Sequence, residues 1–577
     1  MKNNLLLLLF VVFSNVLEGQ TDANNEAPKA DARIATNVKW SNDLEEPTNT
    51  NIKKIVATEG GGFYAYRERQ GGAFSSGTAK PIVEYYNANM KLVKSKELDL
   101  DVKGKGRFVK DVVMLDRRLW LLSYFYNEKH EKTYLFAQEI NKTSLNLSRD
   151  LMKIAEQDQK NNAKEDVFTV ATSRDSSKIV VFNRQPNANK QQEFSLAVFD
   201  SEFKELWSKE AKLPYSRKNF GIEDYQVDNQ GNVYLLGIIY TEGSARLERR
   251  GKATYQYNIV AYRQDNATTE SHEYKIDMKD RFVSDLSFKI GDDGDLICAG
   301  FYSDKGAKSV KGACFFKINP KTRDQTSISS RPFDFQFMTT NLSERNKERA
   351  KAALERGDKE AEPELFDYSI DKLITRSDGG VIMIAEQYFI DERLRFNNNN
   401  MGFGGGWGGG WGNGGWGNGG WGNNGFDPYG NNRYGNNNQP DYYFNYNDII
   451  VVNIQPDGEI AWSARIPKRQ VSVNDLGQYS SYGMSIVADK LYFIYNDDPK
   501  NLDPRAKKIA AETPDKYSVV TIAEVDRNGG VKRSPLFQNK ENGVVVRPKL
   551  SKQVGRRDMA IYGESGRRYK FGVLSFD

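Results

Sequence analysis

Apolar residues along this chain gather in short runs of five to eight, set off by turns rich in Asp, Asn and Gly. The stretch Tyr225–Ile276 shows the unit most clearly. Tyr225-Gln226-Val227 leads through the turn Asp228-Asn229-Gln230-Gly231-Asn232 into the run Val233–Tyr240. Tyr257–Tyr262 then turns at Gln264-Asp265-Asn266 into a fourth strand around Glu273–Ile276. Four antiparallel strands in about fifty residues match one propeller blade.

Taking the first residue of each most apolar strand as a marker gives Phe63, Leu119, Ile179, Val233, Leu296, Val381, Leu491 and Met559. The spacings are 56, 60, 54, 63, 85, 110 and 68 residues, the two longest swollen by insertions. The runs Trp120–Tyr126, Ile179–Phe182, Leu296–Tyr302 and Leu491–Tyr495 are apolar on both strand faces, as in sheets covered front and back. This pattern argues against an outer-membrane barrel, whose strands alternate because the lumen is wet. The predicted fold is all-β: a single β-propeller of eight four-stranded blades, with seven as the alternative count. The last unit lacks one strand, and Ala35–Ser41 is expected to supply it, closing the ring and removing two exposed sheet edges.

At Asp228 to Gly237 the pattern Asp-x-x-Gly-Asn-x-Tyr-x-x-Gly resembles the repeat of secreted bacterial β-propeller proteins. In its turns and blade spacing the chain is also similar to an uncharacterised family of cell-envelope propellers. The resemblance implies fold and carries no functional residues.

Residues 1–19 read as a secretory signal: Lys2 gives the positive start, Leu5 to Phe13 a short apolar core, and Leu17-Glu18-Gly19 a cleavage site. The propeller is expected over residues 33–577. No later stretch approaches the eighteen consecutive apolar residues of a membrane span, and the mean hydropathy is −0.68. The expected location is therefore the periplasm, the medium or the cell surface. The net charge of +5 is spread along the chain with no long basic run, which speaks against nucleic acid as a partner.

Two insertions are expected. Residues 340–365 hold a helix from Ser343 to Arg356, capped by Ser343 and Gly357, with a narrow stripe of Ala350, Ala353 and Leu354. Residues 397–440 are mostly Gly and Asn, a composition that does not fold alone. They carry Trp407, Trp411, Trp416 and Trp421, whose rings suit stacking on sugars or on another protein. These four tryptophans are the candidate binding residues.

Cys298 and Cys314 fall on adjacent strands of one blade, equidistant from the loop between them. They read either as two small buried core residues or as a cross-strand disulfide. With only two Cys and two His, His130 and His272, no metal site or cofactor is expected.

Turns between first and second strands, and between third and fourth, are short; links between second and third strands are long. One face is trimmed and the other elaborated, and binding is expected on the elaborated face. Its loops Arg67–Lys80, Glu242–Lys252 and Asp304–Lys311 each sum to +2, favouring an anionic partner. The sequence lacks a Gly-x-Ser-x-Gly elbow, a His-Glu-x-x-His motif, a Cys-x-x-Cys pair and a phosphate-binding loop. The expectation is a non-enzymatic binding or assembly module with a protein or glycan partner in the cell envelope. The alternative is a carbohydrate-active propeller enzyme whose paired carboxylates come from different blades, a pair that no local motif reveals.

Overall fold

A computed structural model describes residues 34–577 apart from 48–49, 70–79, 103–104, 160–166, 185–191, 217–218, 241–254, 266–267, 277, 279–280, 305–308, 323, 341, 359–361, 394–440, 504 and 507. The signal segment and the four candidate tryptophans lie outside the described residues.

Seven sheets of four antiparallel strands follow one another in strict chain order, and an eighth joins the two ends of the chain. Each of the eight marker residues falls within the second strand of its blade, from Gly62–Arg69 in the first to Asp558–Ser565 in the eighth. The chain is an eight-bladed β-propeller. Closure follows the expected route: Thr36–Trp40 pairs with the C-terminal strand Arg568–Phe576 from Thr36↔Phe576 to Trp40↔Gly572. Trp40 packs edge-on against Phe537 of the seventh blade at 5.6 Å, so the latch also grips its neighbour.

The double-sided apolar runs are explained by where the cores sit. Eight hydrophobic clusters occur, each between two successive blades, and the cluster of Phe63, Tyr86, Tyr562 and Phe571 joins the eighth blade to the first. A second strand such as Leu296–Ser303 is buried along its whole length because one side faces the blade before and the other the blade after.

The first strands, which meet around the central channel, share an irregularity. In five blades the first strand slips out of register with the second at a bulged residue: Lys53 (with a second at Val56), Lys110, Glu223, Ser284 and Asp371. A bulge leaves its residue unpaired and re-aims the strand. In three of these blades the next residue is an aspartate, Asp111, Asp224 or Asp285, whose carboxylate accepts the N–H of the residue after it. Two of these aspartates also tie neighbouring blades together. Asp111 pairs with Lys54 of the first blade at 2.5 Å, and Asp285 accepts the Ile370 N–H of the sixth at 2.7 Å.

The inserted helix forms over Glu344–Glu355, with Ala350 and Ala353 buried and Leu354 exposed. Gly357 closes it at φ +64°, with Asp358 N–H reaching Ala353 O. Ser343 stands at the N-cap but makes no side-chain cap bond, which corrects its expected role. A shorter helix, Phe335–Thr339, precedes it, capped by Asp334. None of the described helices is long and apolar enough to cross a membrane.

Candidate functional site

A cavity of about 860 Å³ opens on the trimmed face among the first turns of blades three to five. Its polar groups are largely committed to structure. Asp228 accepts the Gln230 and Asn232 N–H groups on one oxygen and the Asn232 amide on the other, and Arg174 bridges the mouth to Asp292 at 2.8 Å. These are self-capped turns.

The elaborated face differs. Here the first strand of blade six (Tyr368–Thr375), the crossing Asn474–Tyr482 into blade seven, and the turn Pro548–Leu550 in blade eight come together. Asp371 occupies the bulge of its strand and accepts a 2.8 Å hydrogen bond from the Tyr482 hydroxyl. Behind it stands Glu386 on the adjacent strand, 1% exposed. Its oxygens accept from Lys468 Nζ and Ser481 Oγ, both at 2.6 Å. Lys468 gives its remaining donors to Tyr446 O and Gln470 Oε1, so this buried ion pair is fully satisfied. Burial and the neighbouring Glu386 charge push the Asp371 carboxyl up to about 7. Asp371 thus holds its proton at a pH where an ordinary carboxyl has lost it.

Lys549 completes the constellation. Its ammonium lies over the Tyr446 ring at 4.1 Å and donates to the Tyr446 hydroxyl at 2.8 Å. Burial lowers it to about 8, while Glu386, Asp371 and Asp475 act in the opposite direction. Asp371 and Asp475 thus both act on one ammonium. Asp475 is half-buried on the crossing segment, and one of its oxygens accepts the Gly477 N–H. A further carboxylate, Glu564 of blade eight, is taken up by Gln478, Tyr479, Tyr562 and Arg547.

The crossing is held in a costly conformation. Asn474, Leu476 and Ser481 have φ of +55°, +59° and +68°, a region that residues with a side chain seldom adopt. Gly477, at φ +63°, lies so close to the Tyr446 ring that a Cβ would stand 2.2 Å from Cε2. Strain of this kind persists where the surroundings enforce it, and it clusters at functional sites.

The cysteine pair does not belong to this site. Cys298 and Cys314 are free, fully buried thiols in blade five. Strand register sets Cys298 opposite Phe316 and Cys314 opposite Gly300, two positions apart, which corrects the facing arrangement a disulfide would use. Asp371, Asp475 and Lys549 went unnoticed because they belong to different elements. The one signal in the sequence was the inner-strand series Lys110-Asp111, Glu223-Asp224 and Ser284-Asp285, from which Asp371-Lys372 departs by one place.

No protein-family model matches the chain, and neither does any curated protein. Similar solved structures include an α-L-arabinanase from Penicillium chrysogenum complexed with arabinobiose (TM-score 0.28, 10% identity, 60% of this chain and 94% of that one). They also include an endo-arabinase from Bacteroides thetaiotaomicron (TM-score 0.22, 11% identity, 39% and 74%). An apocarotenoid oxygenase from Synechocystis covers more of this chain (TM-score 0.29, 9% identity, 92% and 88%). The expectation of a non-enzymatic module is not upheld: the similar structures include an α-L-arabinanase and an endo-arabinase. At these TM-scores they transfer no residue and no substrate. The chemical argument rests on Asp371 and its surroundings.

Proposed function

We propose that this propeller is a carbohydrate-active enzyme that cleaves a glycosidic bond at the elaborated mouth of its channel. The observation that supports this most is Asp371: a carboxyl on the first strand of blade six, kept protonated near neutral pH by burial and by a second carboxylate whose own charge is balanced by Lys468. Asp371 donates its proton to the departing glycosidic oxygen, and Asp475 takes one from the water whose oxygen bonds to the sugar carbon in its place. Two carboxyl groups with opposite protonation states are what glycoside hydrolysis requires. Lys549 stays charged below about pH 8 and holds the site near electrical balance.

Polymeric glycans lie outside the cytoplasm, in keeping with the secretory signal read at Met1 to Gly19. The test is incubation of the purified protein with arabinan, xylan, β-glucan and pectin, scored by new reducing ends. Cleavage of one substrate by the wild type and its loss in Asp371→Asn is the expected result. Inertness toward the whole panel, or full activity in Asp371→Asn, contradicts the proposal.

A further inference from the structure

Blade six is taller than its neighbours. Its second, third and fourth strands run 13, 14 and 14 residues, whereas the second strands of the other blades run 7 to 10. Past the bulge at Gln387, six further cross-strand pairs, Tyr388↔Tyr446 to Arg393↔Asp441, continue as a ribbon. At about 3.3 Å per residue this ribbon rises roughly 20 Å.

The ribbon is braced. Its outer strand is covered where Val471 N–H reaches Glu512 O and Glu512 N–H reaches Arg469 O, both at 2.8 Å. Alternation then sorts its side chains. One face carries Tyr388, Ile390, Tyr442, Phe444 and Tyr446. Tyr446 fixes which way that face looks, because it meets both Gly477 of the crossing and Lys549 of blade eight. Tyr388 and Tyr446 pack with ring centroids 4.6 Å apart, and Tyr388, Ile390 and Tyr442 remain half-exposed above them. Phe444 and Tyr446 are buried, so the open part of this face is Tyr388, Ile390 and Tyr442, with Glu392 opposite Tyr442, leading away from the Asp371 site.

We infer that this face of the ribbon is an extended sugar-binding wall, so that the substrate is a polymer held over several units by stacking of its apolar ring faces on Tyr388 and Tyr442. The inference rests on the proposed glycan-cleaving function and adds the substrate's form. Stacking on an aromatic ring needs an apolar face and tolerates hydroxyls at the rim, which suits a neutral sugar chain.

Affinity gel electrophoresis of the full-length Asp371→Asn protein, in gels cast with arabinan, xylan, β-glucan or pectin, tests this without calling on activity. Retardation by at least one polymer is expected. Tyr442→Ala or Tyr388→Ala, added to Asp371→Asn, should weaken it about tenfold. Tyr442→Phe should restore it, and Tyr517→Ala, on an exposed loop of blade seven, should leave it unchanged. Retardation by no polymer, or equal retardation of the alanine variants, overturns the inference. Polymer cleavage by the wild type with no effect of the ribbon variants would sink the wall and leave the glycan-cleaving reading standing. Ribbon-dependent retardation with no cleavage of any polymer would do the reverse.

Discussion

The inner strands of blades five and six carry one aspartate each near the same bulge, and the two have opposite employment. Asp285 follows its bulge. One oxygen accepts its own chain's Leu286 N–H and the other the Ile370 N–H of the next blade, so both ends of the carboxylate are spent on backbone. Asp371 occupies its bulge and is aimed at a hydroxyl, with an ammonium and a second carboxylate nearby. Burial raises both, to about 6 for Asp285 and about 7 for Asp371. The residue type and the direction of the shift are thus shared. A register difference of one residue separates a structural staple from an acid.

Substitution should split the two roles. Asp371→Asn should slow glycan cleavage by about 100- to 10,000-fold, the usual worth of a positioned general acid, while shifting urea-unfolding stability at about pH 4, where Asp371 is protonated, by less than about 1 kcal/mol. Asp285→Ala should do the opposite in kind. It strands two buried N–H groups and should cost about 1–3 kcal/mol of stability in the same urea titration. If Asp371→Asn unfolds as readily as Asp285→Ala, the comparison fails and both are staples.

A smaller effect concerns pH. The ordinary value for Asp371 is 3.8 and its folded value about 7, so the folded state binds more protons between the two. Stability from this group is therefore full below about pH 4 and is lost as pH rises through 7, with no further change above. Asp285 and Asp497 at about 6 and Glu512 at about 7 carry the same sign. Chemical denaturation at pH 4.5 to 7.5 should show wild-type stability declining. Asp371→Asn should reduce the slope by at most about 1.4 kcal/mol per pH unit, the share of one proton. An unchanged slope would mean that Asp371 titrates normally.

Much of the architecture was legible in the sequence because a propeller repeats one strong signal, the doubly covered second strand, eight times. Leu296–Tyr302 needs no context to be read as buried on both faces. Closure by residues 35–41 followed from counting strands in the last unit. The site was not legible for the same reason. Asp371 lies in a short strand, Tyr368–Thr375, whose alternation is broken by the bulge that gives the residue its role. Glu386, Asp475 and Lys549 come from a strand, a crossing and a turn that only folding brings together. Trp407–Trp421 stand out in the sequence by their Gly-rich setting and lie outside the described residues, whereas the tyrosines facing the site are built into strands that look like ordinary core.

The central claim is that Asp371 keeps its proton at neutral pH. Carbon-detected NMR titration of protein labelled at the aspartate carboxyl, with Asp371→Asn used to assign the resonance, measures this directly. The account predicts a midpoint near 7 for the signal that the variant lacks. A midpoint near 4 would make Asp371 an ordinary ionised carboxylate and remove the acid on which the proposed chemistry depends.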